Sequence, residues 1–412
     1  MRSRLKRGKW QAVKIILVHC HYQQPGGEDV VFQQERQLLE RAGHEVIVFI
    51  RSNEGLDSYS KVQRLVLIQK AIWNTGMQKE FSEVLRTQKP DVVHVHNTWV
   101  AISPSIYKAC QDANVPVVQT HHNYRLMCPC GTFFRDGAAC EECMDHSLLR
   151  SVRYGCYRDS RSTTAAKALM LAVHRGLHTW DRDINCHIVL TEFAKTKFLR
   201  GGLPPERMFV KPNFVHPDPL PATNDHSAAG GDGKYALFAG RLAPKKRVTT
   251  VLSAWSRLRS RIPLMIVGGG IEQEELEQEA AQDRLSTITF RGTLPHDETL
   301  AVMSGARFLI FSSEWYETFG LTMVEAFACG VPVICSRVGA MREIVDDGRT
   351  GLHFNAGDAD DLAAKVEWAL SHPERMQEMG REARQEYESK YTAEKNYPRL
   401  MEIYQHAIAR RN

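Results

Sequence analysis

The chain has 412 residues, of which 43% are hydrophobic and 25% are charged. This composition is ordinary for globular protein, suffices for two hydrophobic cores and excludes the disordered and fibrous classes. Every apolar run is far shorter than the roughly 18 to 20 residues that cross a bilayer, and the basic start of the chain lacks the apolar region of a secretory signal, so we expect a cytoplasmic protein that does not span a membrane.

Basic residues are concentrated in the first half of the chain. Residues 1–200 hold 28 Lys and Arg against 19 Asp and Glu, whereas residues 201–412 hold 25 against 29. This asymmetry suits an anionic membrane surface, an anionic substrate or a nucleic acid. A solvated surface without any partner explains it equally well.

The first half alternates short β-branched segments with helical patterns. Strands are predicted at residues 13–19, 45–51, 91–96, 115–120, 188–190 and 208–211, and helices at residues 30–42, 163–180 and 194–199. Such alternation predicts a domain with a parallel sheet, here over residues 12–217. A Cys-, Arg- and Gly-rich insertion at residues 125–160 interrupts the pattern.

The second half repeats the theme after a linker of prolines and small polar residues at 218–233. Strands are predicted at residues 235–239, 264–267, 288–291, 307–311 and 331–335, within a second doubly wound domain at 234–390. An acidic helical stretch at 358–406 is expected to break at Pro373 and Pro398. Residues 391–412 are predicted to form a C-terminal helix that packs back toward the N-terminal domain.

Two loops of the second half carry groups that suit phosphate. Arg241, Lys245, Lys246 and Arg247 follow a predicted strand, and a guanidinium together with an ammonium matches a diphosphate. Gly268-Gly269-Gly270 follows the next strand, where glycines let the backbone approach a ligand. A solvated basic loop and tight packing are the respective alternatives.

The most informative segment runs from Glu314 to Gly330 between a predicted strand and helix. Amides near Phe319 to Leu321 at the helix start would receive phosphate oxygens. Glu317 and Glu325, on either side of these amides, would accept hydroxyl groups of a sugar and a ribose. The alternative is a helix-start charge at Glu317 and an ordinary helix residue at Glu325.

With these motifs the chain resembles the retaining glycosyltransferases of the GT-B fold in glycosyltransferase family 4. The resemblance covers nearly the whole chain and is carried by Glu317-x(7)-Glu325, Gly240-Arg241-Leu242-x-Pro-x-Lys246, Val267-Gly268-x-Gly270 and Gly339-x(3)-Glu343-Ile344-Val345-x(2)-Gly348-x-Thr350-Gly351. It implies an α/β protein of two Rossmann-like doubly wound parallel-sheet domains with a cleft between them.

The resemblance also implies roles for single residues. Catalytic roles fall to Glu317 on the donor sugar hydroxyls, to His122 facing the donor sugar, and to Arg241 and Lys246 on the diphosphate. Donor-binding roles fall to Gly26, Gly27, Gly268, Leu294 beside the base, Thr318, Phe319, Gly320, Leu321, and Glu325 on the ribose. His121 beside His122 leaves the register open, and Arg247 stands where many relatives have Gly.

The implied activity is metal-independent, retaining transfer of a hexose from a UDP- or GDP-linked sugar to a glycan acceptor. The acceptor is expected to be lipid-linked, at the inner face of the cell membrane, in the synthesis of a cell-surface polysaccharide. A GT-B transferase acting on a soluble sugar or sugar phosphate is the main alternative. A nucleic-acid-binding protein is a distant one, because the basic residues are not interleaved with aromatic ones.

Five cysteines crowd into residues 128–156. Cys140-x(2)-Cys143 has the spacing of a tetrahedral zinc site, which Cys156 and Cys128 or Cys130 would complete. An irregular segment with little apolar content would gain stability from such a structural ion. Buried reduced thiols are the alternative.

A membrane-surface patch is predicted next to this segment. Arg150, Arg153, Arg158 and Arg161 precede the helical pattern at 165–180, which carries several large apolar residues. Burial of that helix in the domain core is the alternative.

Overall fold

A computed structural model describes residues 10–22, 26–53, 60–220, 233–258, 261–283 and 285–410. The described residues fall into two compact units. The first unit lies within Met1–Thr132, Glu141–Pro212 and Ala393–Asn412, and the second within Phe133–Cys140 and Asn213–Thr392. The segment 133–140 of the predicted insertion therefore belongs to the second unit, and residues 221–232 of the predicted linker lie outside the described residues.

Strands and helices alternate along most of the chain. The strands are β1 Lys14–His21, β2 Glu45–Ser52, β3 Val92–Val95, β4 Val117–Thr120, β5 Phe134–Arg135, β6 Ala138–Ala139, β7 Cys186–Val189, β8 Met208–Val210, β9 Ala236–Ala239, β10 Leu264–Val267, β11 Ile288–Phe290, β12 Phe308–Phe311, β13 Val333–Ser336 and β14 Gly351–Phe354. The helices are α1 Gly27–Ala42, α2 Lys61–Ile72, α3 Thr75–Gln88, α4 Ser105–Asp112, α5 Glu142–Asp145, α6 Leu149–Tyr154, α7 Arg161–Gly176, α8 Thr179–Arg182, α9 Glu192–Arg200, α10 Val248–Leu258, α11 Gln273–Gln282, α12 His296–Ser304, α13 Leu321–Ala328, α14 Met341–Ile344, α15 Ala359–Ser371, α16 Pro373–Lys390 and α17 Ala393–Ala409.

Each unit is built on a six-stranded parallel sheet. The strand order is β2-β1-β3-β4-β7-β8 in the first unit and β11-β10-β9-β12-β13-β14 in the second. The central strands β3, β4, β9 and β12 are buried at every residue. Strands that are buried along their whole length are typical of parallel sheets covered by helices on both faces. The two doubly wound sheets predicted from the sequence are confirmed.

The C-terminal helix α17 belongs to the first unit. Its residues Leu400, Met401 and Tyr404 are buried in one hydrophobic cluster with Ile15 of β1 and Val118 of β4. This packing covers a face of the first sheet that would otherwise expose apolar strand residues.

Two details of the second half differ from the sequence prediction. Pro398 lies inside α17 and does not break it. The helical chain is interrupted earlier, between α16 and α17. The strand β14 was missed, since its four residues begin with Gly351, a residue that is unfavourable in strands. The break at Pro373 is confirmed, because this proline is the first residue of α16, where its missing N–H costs little.

Among the described residues, none of the helices combines the length and the apolar character that crossing a bilayer requires.

Candidate active site

The loops after β9 and β12 leave the second sheet at the same edge. β9 has β10 on one side and β12 on the other, so the chain direction across the sheet reverses there. Ligands of open α/β sheets bind at such a switch point, beyond the carboxyl ends of the strands. Arg241 and Lys246 follow β9, and Glu317 follows β12.

Lys246 and Glu317 form an ion pair at this switch point. The Lys246 Nζ atom lies 2.5 Å from Glu317 Oε1 and donates a hydrogen bond to it. The Ser313 hydroxyl donates to the same carboxylate oxygen at 2.9 Å, and the Ser312 hydroxyl donates to the Lys246 carbonyl at 2.7 Å. The structure therefore brings together two residues, one from each loop, that the resemblance names as catalytic.

The two arginines of the β9 loop differ in their surroundings. Arg241 is exposed. The Arg247 Nε atom donates to Glu314 Oε2 at 2.7 Å, and the backbone of Arg247 has a φ of +48°. This left-handed conformation favours glycine, the residue that the resemblance leads one to expect here.

Helix α13 begins directly behind the ion pair. Gly320 precedes it with a φ of +83°, a left-handed conformation that favours glycine. Thr318 and Phe319 are buried just before this turn. The first N–H groups of a helix have no acceptor within the helix, and the start of α13 at Leu321 can therefore receive an anion.

Glu325 lies in the second turn of α13. Burial raises the pKa of its carboxyl to about 7. The His296 Nδ1 atom, at the start of α12, lies 3.7 Å from Glu325 Oε1. Leu294, which the resemblance places beside the base, is half-buried in the loop that leads to this histidine. The predicted base contact is thus two residues along the chain from a histidine that lies beside the predicted ribose contact.

The glycines after β10 serve to pack two loops against each other. Gly268 has a φ of +134°, and a Cβ atom on it would lie 1.9 Å from the Gly240 carbonyl oxygen. A Cβ atom on Gly270 would lie 2.0 Å from the Leu242 carbonyl oxygen. Tight packing, one of the two sequence interpretations, is therefore sufficient to explain these glycines, and the contact of Gly268 with a donor stays a prediction.

The first unit has an open pocket at the carboxyl ends of β3 and β4. Its volume is about 550 Å³ including the mouth, and His96, Trp99, His122, Asn123 and Arg125 are among the residues that line it. Aromatic, amide and guanidinium groups together suit a polar ligand such as a sugar.

The two adjacent histidines after β4 have different environments. His121 is buried, with its Nε2 atom 2.9 Å from His187 Nδ1 and its ring packed against Phe198. His122 is half-buried, and its Nε2 atom lies 3.0 Å from His96 Nδ1. His121 is thus held by the domain interior, which favours His122 as the residue that meets a ligand.

Gly26 and Gly27 stand at the start of α1. The Asp29 side chain accepts the Gly26 N–H at 2.8 Å, and its other oxygen lies 2.8 Å from His19 Nε2 and 2.7 Å from His21 Nδ1. Burial would raise the pKa of Asp29, but the hydrogen bonds from both histidines and Gly26 lower it to about 2. The glycine turn is therefore fixed by an ionised carboxylate.

A buried polar group that no motif indicated lies beside this turn. Arg125 Nη2 donates to the Tyr22 hydroxyl at 2.8 Å, and that hydroxyl donates to Glu28 Oε2 at 3.2 Å. Burial raises the pKa of Glu28 to about 8 in spite of the Arg125 charge. The only signal in the sequence was the position of Glu28 directly after the glycine pair.

Comparisons with known proteins support the same family over both units. The family model for glycosyltransferase family 4 matches residues 25–219, and the model for glycosyl transferases group 1 matches residues 222–386. A glycogen synthase of Mycobacterium tuberculosis is 30% identical over 310 residues, which are 74% of this chain and 66% of that protein. This chain thus spans about two thirds of the length of that relative.

The chain belongs to glycosyltransferase family 4.

Solved structures support the GT-B fold. Sucrose-phosphate synthase from Thermosynechococcus elongatus matches with a TM-score of 0.73 and 20% identity, over 96% of this chain and 99% of that one. Anabaena HepE in complex with UDP and glucose matches with a TM-score of 0.63 and 17% identity, over 95% and 99%. The predicted GT-B architecture of two Rossmann-like domains is confirmed.

The cysteine cluster of this family 4 chain is divided between the units. Cys128, Cys143 and Cys156 lie in the first unit and Cys140 in the second. Cys128 Sγ lies 3.2 Å from Cys130 Sγ, and a hydrogen bond with Cys128 lowers the pKa of Cys143. Within the described ranges, the groups of three ligand atoms lying within 4.8 Å of one another contain no cysteine. Neighbouring thiols suit zinc chemically, and the zinc site stays a prediction.

Metal content tests this site directly. If the cluster binds one zinc ion, freshly purified reduced protein should contain about one metal equivalent. Cys143→Ser should lower that value, whereas Cys110→Ser, a buried cysteine of α4, should leave it unchanged. Metal analysis of the three proteins tests the site. A wild-type value near zero would mean that these cysteines are reduced thiols that bind no zinc.

The pKa of Glu325 predicts a pH dependence of nucleoside binding. An ionised carboxylate accepts hydroxyl hydrogen bonds better than a protonated one, so affinity for the correct nucleoside should rise between about pH 6 and pH 8. Titration calorimetry with an uncharged nucleoside avoids the ionisation of phosphate. Glu325→Gln should bind more weakly and with little pH dependence, and an equal pH dependence in both proteins would contradict the ribose role.

Proposed function

We propose that this protein is a retaining glycosyltransferase that moves a hexose from a UDP- or GDP-linked sugar to a glycan acceptor. The observation that carries the proposal is the group at the switch point of the second sheet: the Lys246–Glu317 ion pair, the start of α13 and buried Glu325. Cationic and N–H groups lie before and at the start of α13, and a hydroxyl acceptor, Glu325, lies in its second turn. This order matches a sugar, a diphosphate and a ribose.

The reaction needs negative charge to be stabilised on the leaving group. As the bond between the sugar C1 and the diphosphate oxygen breaks, its electron pair remains on the diphosphate. This charge is larger in the transition state than in the donor. It would be stabilised by Lys246, Arg241 and the first N–H groups of α13. In this scheme no metal ion is required.

Retention follows if the acceptor attacks from the face that the leaving group departs from. The acceptor hydroxyl would then give its proton to a leaving phosphate oxygen as its own oxygen bonds to C1. Glu317 already interacts with Lys246 and Ser313. We therefore assign it to holding the donor sugar hydroxyls and not to nucleophilic attack.

The donor is open to a simple experiment. HepE carries UDP and glucose in its structure, so we expect UDP to stabilise this protein more than GDP or ADP. Binding to the folded state raises the melting temperature. Thermal shifts with UDP, GDP and ADP, followed by transfer assays and analysis of the product anomer, test both the donor and retention; an inverted anomer would contradict the mechanism.

We also propose a lipid-linked acceptor at a membrane surface, in the synthesis of a cell-surface polysaccharide. Helices α6 and α7 pack together. Leu149 of α6, Leu169 of α7 and Leu177, the residue after α7, are 73%, 53% and 45% exposed. Arg153 and Arg161 of the same helices are exposed. Exposed leucines beside basic groups suit an anionic bilayer surface. The predicted patch thus includes exposed apolar residues, although Met170, Leu171 and Trp180 are buried.

Vesicle sedimentation tests the membrane contact. The protein should sediment with vesicles of phosphatidylcholine and phosphatidylglycerol, and less so at high salt. Leu149→Glu combined with Leu169→Glu should abolish sedimentation. Ile271→Glu is the control, since Ile271 is an exposed apolar residue (81%) of the second unit.

A soluble acceptor is the second candidate. Two similar proteins are named glycogen synthase and sucrose-phosphate synthase, and neither name refers to a lipid. Absence of vesicle binding together with transfer to a soluble sugar or sugar phosphate would favour this candidate.

A further inference from the structure

A row of buried contacts lies behind His122 in the first unit. Lys211 Nζ lies 2.5 Å from Glu35 Oε1, and Glu35 Oε2 lies 3.0 Å from His96 Nε2. His96 Nδ1 in turn lies 3.0 Å from His122 Nε2. His96 and His122 follow the neighbouring strands β3 and β4, whereas Glu35 is on α1. None of the motifs and none of the donor contacts described above gives Glu35 or His96 a role.

The first contact fixes a negative charge in the interior. The side chains of Glu35 and Lys211 are 0% and 1% exposed. Burial would raise the pKa of Glu35, but the charge of Lys211 and the adjacent histidines hold it well below its usual range. Glu35 is therefore a carboxylate, and its oxygens can only accept hydrogen bonds.

The carboxylate determines where His96 carries its proton. A lone pair on His96 Nε2 would face a carboxylate oxygen at 3.0 Å and be repelled, so the proton belongs on Nε2, although the contact is bent away from the ideal hydrogen-bond direction. Lys211 already balances the charge of Glu35. With its one proton on Nε2, a neutral His96 adds no net charge to this buried pair.

A neutral His96 with its proton on Nε2 has a lone pair on Nδ1. The partner of that lone pair is His122 Nε2, 3.0 Å away. Burial holds the pKa of His122 well below its ordinary value, so His122 is neutral as well. Its single proton then lies on Nε2, where it is donated to His96, and its Nδ1 atom carries the lone pair.

We propose that Glu35 and His96 are positioning residues that fix His122 in the tautomer with its proton on Nε2, so that Nδ1 accepts a hydrogen bond from a hydroxyl of the donor sugar. The contact with the sugar rests on the proposed function, whereas the tautomer does not. A histidine in the wrong tautomer would present an N–H where an acceptor is needed, and in a serine-protease triad such an error costs roughly 10⁴-fold in kcat.

Imidazole ¹⁵N NMR measures the tautomer without any substrate. The chain has 17 histidines, and loss of signals in His122→Gln assigns those of His122. In the wild-type protein we expect a protonated Nε2 and an unprotonated Nδ1 at His122. A protonated Nδ1 there would overturn the proposal even if no variant could be prepared.

Three variants separate positioning from packing. His96→Phe keeps a buried ring but removes the contacts of His96 with Glu35 and His122, so His122 should change to a mixture of tautomers. His96→Gln can donate toward Glu35 and accept from His122, and should retain the wild-type tautomer. His174→Phe is the control, because His174 is also buried in the first unit but contacts Thr179 and the Ile72 carbonyl. An unchanged His122 tautomer in His96→Phe would overturn the proposal.

Kinetics test the consequence for transfer. His96→Phe should lower kcat by tenfold or more while the KM for the donor changes little, and His96→Gln should recover most of the loss. His174→Phe should lower kcat far less. If His96→Phe changes the tautomer of His122 as expected but the wild-type protein transfers no sugar, the positioning role of Glu35 and His96 is supported and the proposed function is wrong. If transfer is normal in His96→Phe, Glu35 and His96 do not position His122 for the reaction.

Discussion

Replacing Lys246 by alanine should lower kcat/KM for sugar transfer by about 10² to 10³-fold, the usual loss when one preorganised charge-stabilising donor is removed. Lys246 is held by Glu317 Oε1 at 2.5 Å and by the Ser312 hydroxyl on its carbonyl. It is thus oriented before any ligand binds. Because its proposed partner is the charge that develops on the diphosphate, binding of the uncharged nucleoside should be nearly unchanged.

Lys245 provides a matched control for this prediction. It is the adjacent lysine, but its Nζ atom stacks over the ring of Trp315 at 4.5 Å from the centroid. Lys245→Ala should therefore reduce kcat/KM much less than Lys246→Ala. Steady-state kinetics and nucleoside calorimetry on both variants provide the comparison, and equal losses of nucleoside and nucleotide-sugar binding in Lys246→Ala would contradict the role in charge stabilisation.

Replacing Glu35 by leucine should destabilise the first unit by about 3 to 5 kcal/mol, the usual cost of removing one partner of a buried ion pair. Lys211 would lose its carboxylate while it remains 1% exposed, and its hydrogen bond to Asn396 Oδ1 at 3.1 Å does not supply a negative charge. Urea unfolding followed by hydrogen exchange of β1 and β3 measures the loss in the first unit alone.

The double variant Glu35→Leu with Lys211→Met distinguishes an uncompensated charge from lost packing. Removal of both charges leaves no unpaired ion, so the double variant should be more stable than Glu35→Leu alone. A double variant that is less stable than the single one would show that the shape of the two side chains, and not their charge, matters most.

Much of the fold could be predicted because strand signals in a parallel sheet are strong. Residues such as 15–18 and 236–239 are continuous apolar runs, and the structure buries them in central strands. Predictions that depended on a single proline or glycine were wrong or incomplete. Pro398 was predicted to end a helix that it does not end, and the short strand from Gly351 was missed.

The candidate donor site could be predicted in part from chain order. Lys246 and Glu317 are far apart in sequence, and the motif spacing indicated that each belongs to a loop after a strand. Their direct contact depends on β9 and β12 being neighbours in the sheet. His296, beside Glu325, carried no sequence signal, because α12 reaches Glu325 only through the packing of the second unit.

The sequence by itself determined the two parallel sheets, the family and the residues that match its motifs, because strand patterns, glycine turns and motif spacing are local properties of the chain. Only the tertiary structure decided that the Nε2 atom of His122 meets His96, whereas that of His121 meets His187. Glu35, His96 and Lys211 come from distant parts of the chain. Their proximity, and hence their charge and proton positions, follows from the tertiary packing that brings α1 to the ends of β3 and β8.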